Sequence, residues 1–176
     1  MNEEELKEKI RNVPDFPKKG IVFRDITTLL QDPKALKLSI REMLKRVEGK
    51  KIDVVIGAES RGFIFGSLIA YELGVPFVPV RKPGKLPFKK IKKEFQTEYS
   101  TDSLEIHVDA IKKGDNVLIA DDLLATGGTS KAICELVEEL EGNVVALIFL
   151  IELSFLKGRE KIKDYEVFSL VDYESE

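Results

Sequence analysis

Two adjacent acids, Asp121 and Asp122, close the apolar run Val117 to Ala120, and after two leucines the segment Ala125-Thr126-Gly127-Gly128-Thr129 opens a helical pattern. Ionised aspartates only accept hydrogen bonds. The helix start beside them offers successive backbone N–H groups, two threonine hydroxyls and the roughly half positive charge of a helix dipole, so a phosphate fits there without a lysine. Acceptors next to an amide-lined seat suit a sugar carrying both free hydroxyls and a phosphate, and ribose 5-phosphate is such a group. Consecutive strand residues point to opposite faces, so one ligand can engage both aspartates only at the strand's end. Vicinal ribose hydroxyls fit that description, and so does a Mg²⁺–water shell. An ordinary strand-to-helix turn would explain the glycines but not the flanking threonines with two acids upstream. Neither the triphosphate-binding GxxxxGK[ST] nor the dinucleotide-binding GxGxxG occurs.

The elements that must hold this constellation are legible as short apolar runs. IDVVIGA, VPFVPV, NVLIA, VVALIFLI and VFSLV are rich in β-branched residues, and helical patterns such as GFIFGSLIAYEL and SKAICELVEELEG separate those in the middle. Continuous rather than alternating hydrophobicity implies strands covered on both faces. The expected fold class is therefore α/β, a central, mainly parallel sheet flanked by helices and joined by right-handed crossovers. Ligands bind beyond the carboxyl ends of such strands, where the acid pair and the Gly-Gly turn should lie. Upstream, EEELKEKIRNV reads as a short amphipathic helix ended by Pro14 and Pro17, GIVF leads into a short extended segment, and Asp32-Pro33 reads as the cap and first residue of a helix reaching about Val47. Between Arg81 and Asp109 the regularity fails. KPGKLPFKKIKKEFQTEYSTD reads as a long mobile loop entering a hairpin whose second strand is SLEIHV.

Composition narrows the class further. A chain of 176 residues suits one domain, taken as 1–176. No apolar run reaches the ~18 residues of a membrane span, and the acidic start MNEEELKEKIRNV lacks the form of a signal peptide, so no membrane partner and a cytoplasmic location are expected. The net charge of −3 argues against a nucleic-acid partner. Cys134 falls in an apolar helical pattern and reads as a packed small hydrophobe; with one histidine, His107, on an expected surface strand, a structural zinc site has no ligands.

The segment Val117 to Thr129 resembles, without a mismatch, the phosphoribosyl pyrophosphate motif of the type I phosphoribosyltransferases: apolar run, two acids, two apolar residues, ATGGT. DFPKKGIVFRDIT, GAESRGFIFG, PVRKPGKLP, TEYSTDSLEIHVDAI and ELSFLKGR are similar, in order and over nearly the whole chain, to the blocks of the adenine phosphoribosyltransferase family. The resemblance implies transfer of a phosphoribosyl group from phosphoribosyl pyrophosphate to adenine, with Mg²⁺ bound alongside the pyrophosphate, no protein-only metal site, and a homodimer with Arg81 to Lys85 near its two-fold interface. It further implies an N-terminal hood over about residues 1–32 and a flexible catalytic loop over 83–99.

Carried over residue by residue, it gives Asp121 and Asp122 the ribose hydroxyls and Ala125, Thr126, Gly127, Gly128 and Thr129 the sugar's phosphate. Arg61, Arg81, Lys82 and Lys85 would face the pyrophosphate, and a non-proline cis peptide is implied at Glu59-Ser60, aiming backbone donors at the leaving group. Val22, Phe23 and Arg24 with Leu123 would receive the base, largely through main-chain atoms and an aromatic–leucine sandwich. Glu98, paired with Tyr99, would exchange a proton with the imidazole part of the base. The chain departs from the family at Ser100, where glycine is usual, and at Phe95, where tyrosine is usual; loop closure and a tyrosine hydroxyl there do not carry over. Two alternatives share the sugar-phosphate seat: a transferase for another nucleobase, and a non-catalytic regulator that senses phosphoribosyl pyrophosphate. The second would need a DNA-binding segment or a basic surface, and the sequence shows neither.

Overall fold

The structure, a computed structural model, describes residues 3–96 and 101–176. A short helix α1 (Glu3–Lys7) leads into a two-stranded antiparallel sheet of β1 (Arg11–Pro14) and β2 (Val22–Asp25), followed by α2 (Thr27–Gln31) and α3 (Pro33–Arg46). Then come β3 (Val54–Ala58), α4 (Gly62–Leu73), β4 (Phe77–Val80), the hairpin β5 (Lys90–Gln96) and β6 (Thr101–His107), β7 (Asn116–Leu124), α5 (Gly128–Glu139) and β8 (Asn143–Leu153). Two 3₁₀ turns, Ser154–Leu156 and Gly158–Ile162, precede β9 (Val167–Tyr173).

The main sheet runs β4-β3-β7-β8-β9, and all four of its pairings are parallel. Successive residues of its inner strands feed opposite layers: Leu118 and Ala120 face the layer of α3 and α4, while Val117 and Ile119 face that of α5 and β6. This is why these strands read as unbroken apolar runs. After β3 the chain crosses to β4 on one side, and after the hairpin it returns to β7 on the other. The reversal leaves a crevice at the carboxyl ends of β3 and β7, the switch point where open α/β sheets take ligands.

Local signals account for most boundaries. Asp32 accepts from the backbone N–H groups of Lys34 and Ala35 at 3.0 and 3.2 Å and Pro33 occupies the first helical position, so α3 starts where the sequence puts it. Gly74 ends α4 in the left-handed conformation.

Three expectations need correction. The N-terminal helix stops at Lys7, and Arg11–Pro14 is a strand, because proline disfavours helix at Val13 and the turn through Asp15, with φ 57° and its carboxylate on Gly20 N, brings β2 back alongside. Strand β7 does not end at the acids: it continues to Leu124 because β8 runs beside it, pairing Leu123 with Ile151 and Leu124 with Glu152. The stretch between Arg81 and Asp109 holds more regular structure than a loop, since Lys90–Gln96 forms the hairpin's first strand.

Candidate active site

At the switch point lies a polar cavity of about 420 Å³, walled by Ala58 to Arg61 after β3 and by Asp121 to Leu123 and Ala125 to Ser130 after the body of β7. A larger apolar groove of about 780 Å³ runs between α3 and α4, past Leu36, Leu44 and Leu68, but it lies away from the acid pair and the glycine turn. The chemistry belongs to the smaller cavity.

Its floor is set by close backbone approach. A Cβ on Gly62 would stand 2.5 Å from Asp121 Oδ1, so glycine lets the start of α4 come directly under the acid pair. Gly127 has φ 75°, caps α5 from the left-handed region, and would carry a Cβ 2.3 Å from Gly158 O. Gly158 is matched to it: a Cβ there would meet Ala125 O at 2.2 Å. Two chain segments are thus pressed backbone to backbone behind the glycine turn. Among the described residues no side chain caps α5, so the N–H donors of its first turn, with the positive end of the dipole, face a ligand-sized cavity without such a cap.

The acids differ in exposure. Asp122 is 5% exposed, and its Oδ2 meets Arg61 Nε at 2.6 Å; Asp121 is half-buried and accepts Asp122 N–H at 2.9 Å. Desolvation and the neighbouring Asp122 charge push the Asp121 carboxyl well above its ordinary 3.8. Burial raises Asp122 as well, with Arg61 opposing it. The pair is a concentration of negative charge that a hydroxyl donor or a cation would relieve. Arg61 also lies 5.3 Å from the centroid of Phe23, which places β2 over the cavity's rim.

Beside the turn after β3, whose Glu59-Ser60 peptide is cis, Glu59 accepts from Arg81 Nε and Nη2 at 3.2 and 3.3 Å and from Lys82 N at 2.9 Å. Lys82 Nζ contacts Asp102 on the hairpin, and Lys85 is exposed. Arg81, Lys82 and Lys85 therefore sit next to the cavity rather than in its wall, which contains Ser60 and Arg61. Glu98 and Tyr99 lie outside the described residues.

Val22, Phe23 and Arg24 form the strand above. The Arg24 side chain is 9% exposed and turns away from any ligand: it donates to Asn12 Oδ1 at 2.7 Å and to Ser175 O at 3.2 Å, with Tyr173's ring 4.0 Å from its Cζ. The Val22 N–H donates to Glu176 Oε2 at 2.8 Å. The ion-pairing role of the Glu59 side chain, and the contacts of Gly158 and Glu176, left no pattern in the sequence. Gly158 sits within the block ELSFLKGR, but nothing in a lone glycine told that it meets a loop thirty residues upstream.

Among the described residues no three or more His, Cys, Asp or Glu are grouped to hold a metal. The acceptor-only oxygens of Asp121 and Asp122 suit a hard cation that keeps water and substrate oxygens as its other ligands, the usual manner of Mg²⁺. His107, half-buried on β6, accepts from Phe88 N at 3.4 Å, and Cys134 is fully buried, its thiol pushed up to about 12 chiefly by burial. No helix among the described residues is long and apolar enough to cross a membrane.

The arrangement has close counterparts. The sequence model of the phosphoribosyl transferase domain matches residues 25–176. An adenine phosphoribosyltransferase of Acetivibrio thermocellus is 59% identical over 170 residues, covering 96% of this chain and 99% of that one. One from Methanococcus maripaludis is 56% identical, with 97% and 99% covered. Among solved structures, an adenine phosphoribosyltransferase from Thermoanaerobacter pseudethanolicus superposes with a TM-score of 0.94 at 55% identity, covering 97% of this chain and 99% of that one. The enzyme from Trypanosoma brucei, in complex with AMP, pyrophosphate and ribose-5-phosphate, superposes at 0.88 with 27% identity over 97% of this chain and 79% of its own.

Proposed function

The chain belongs to the phosphoribosyl transferase family, and from that membership we infer an adenine phosphoribosyltransferase, which joins adenine to the phosphoribosyl group of 5-phosphoribosyl 1-pyrophosphate, giving AMP and pyrophosphate in purine salvage. The observation that carries this reading is the pairing of an uncapped, glycine-led helix start with two adjacent carboxylates at the sheet's switch point. The relatives that share this chain nearly end to end are adenine enzymes, which selects the base.

In this reading the 5-phosphate takes the amides of Ala125 to Thr129, and the ribose hydroxyls donate to Asp121 and Asp122. The base rests between Phe23 and Leu123 against the main chain of Val22 and Arg24. Arg61 turns from Asp122 to the pyrophosphate, joined by Ser60's amide and by Arg81, Lys82 and Lys85. The bond from the sugar's anomeric carbon to pyrophosphate breaks as the base nitrogen bonds to that carbon, and Glu98 takes the proton the base gives up. Positive character on the sugar is met by the carboxylates, and negative charge on the leaving group by the arginines and lysines. Mg²⁺ bound alongside the pyrophosphate, with the Asp121 and Asp122 oxygens the residues suited to it, would supply further neutralisation of that charge. We also propose a homodimer with Arg81 to Lys85 near its two-fold interface, and a cytoplasmic setting.

The test is incubation of the protein with phosphoribosyl pyrophosphate, Mg²⁺ and each nucleobase in turn. AMP forms fastest if the reading is right; formation of GMP, XMP or OMP alone would defeat it.

A further inference from the structure

Arg159 follows Gly158 on the second 3₁₀ turn, and every nitrogen of its guanidinium is engaged. Nε donates to Glu152 Oε1 at 2.6 Å and Nη2 to Oε2 at 2.7 Å, a two-pronged ion pair. Nη1 donates to the Val167 carbonyl at 2.8 Å, and Nη2 reaches Ser169 Oγ at 3.2 Å. The Ser169 hydroxyl in turn donates to Glu152 Oε2 at 2.8 Å.

Glu152 is a well-founded anchor. It is 5% exposed, close to the carboxyl end of β8, with Leu124 of β7 and Asp172 of β9 as its register neighbours. A planar guanidinium gripping a carboxylate through two parallel bonds fixes direction as well as distance. The residue so fixed is joined directly to Gly158, whose backbone abuts Ala125 O and Gly127 N so closely that neither glycine could carry a side chain. A continuous line of contacts therefore runs from β8 through Glu152, Arg159 and Gly158 to the turn that lines the cavity.

We propose that Arg159 is a positioning residue for the phosphate seat: its ion pair with Glu152 holds Gly158 against Ala125 to Gly127 and so aims the turn's N–H groups at the ligand. The inference rests on the reading that this turn takes the sugar's phosphate. Amides that must converge on one anion tolerate little displacement, and misplacement by about 1 Å can cost ~10²-fold in function.

Two half-ligands separate this role from general support. Ribose 5-phosphate probes the seat itself, and pyrophosphate with Mg²⁺ probes the opposite end of the cavity. Titration calorimetry on the wild-type chain, Arg159→Ala and Arg159→Lys, with KM for phosphoribosyl pyrophosphate and for adenine, gives the comparison. Arg159→Ala should bind ribose 5-phosphate ~10- to 100-fold more weakly while pyrophosphate binding and the KM for adenine stay unchanged. Arg159→Lys keeps the charge but loses the fork, and should fall between; it carries the comparison alone if the alanine variant does not fold. Wild-type affinity for ribose 5-phosphate in a folded variant, or an equal loss for all three ligands, would overturn the positioning role. Failure of the wild-type chain itself to bind ribose 5-phosphate would instead bring down the reading of the seat, and the inference with it.

Discussion

The carboxyls of Asp121 and Asp122 stand near the carboxyl end of β7, two residues before it stops, with the guanidinium of Arg61 offsetting them, and burial holds both above their ordinary range. A carboxyl whose pKa is higher in the folded than in the unfolded chain binds more protons when folded, so stability declines as pH rises through the window above 3.8 and the cost persists beyond it. Asp121→Asn should therefore raise the melting temperature at neutral pH by a few degrees, and calorimetry across pH should show that gain vanish in acid. Its carbonyl can still accept Asp122 N–H, so the gain reflects charge alone. The same substitution, or Asp122→Ala, should raise the KM for phosphoribosyl pyrophosphate ~10- to 100-fold through loss of charged acceptors. In the wild type that KM should also rise as falling pH protonates the pair. By contrast, Glu98→Ala should mainly lower kcat, by ~10²- to 10⁴-fold, in a single-turnover comparison at saturating substrate. Cys134, buried and weakly acidic, should resist iodoacetamide at pH 8 in the native chain and react once the chain is unfolded. The acids and the glycine turn were legible because their chemistry is local in sequence. The ion pair of Arg61 with Asp122, and the burial of Arg24 by Asn12 and Ser175, depend on contacts between distant segments and left no pattern to read.

Helices and inner strands follow from periodicity and caps: Asp32-Pro33 starts α3, and the apolar runs became β3, β4, β7, β8 and β9. Where the structure departs from local periodicity, a neighbouring strand decides. Arg11–Pro14 has helical spacing behind it in Leu6 and Ile10, yet it pairs with Val22–Asp25; Leu123 and Leu124 extend β7 because β8 gives them partners. The turn between β7 and α5 offers a sharp test. Gly127→Ala would need a side chain at φ 75° and inside contact distance of Gly158 O, so the turn must move. Ribose 5-phosphate affinity should drop by ~10-fold or more in titration calorimetry, with the circular dichroism of the helices kept.

As a molecule, the chain builds a five-stranded parallel sheet with one helical layer of α3 and α4 and another of α5 and the hairpin, and it seats its candidate chemistry where the crossovers reverse. That much was foreseeable, because strands covered on both faces must be apolar throughout. Phe23 of the small β1–β2 sheet lies beside Arg61, a placement that no local pattern in the sequence signals. Light scattering at working concentration should return about twice the 19.9 kDa of one chain if the dimer forms, and a stable monomer would count against it. A crystal structure of the protein with AMP would show directly where each part of the nucleotide sits. The phosphate should lie on the amides of Ala125 to Thr129, the ribose hydroxyls on Asp121 and Asp122, and the base between Phe23 and Leu123. AMP bound elsewhere, with that cavity filled only by solvent, would contradict this placement.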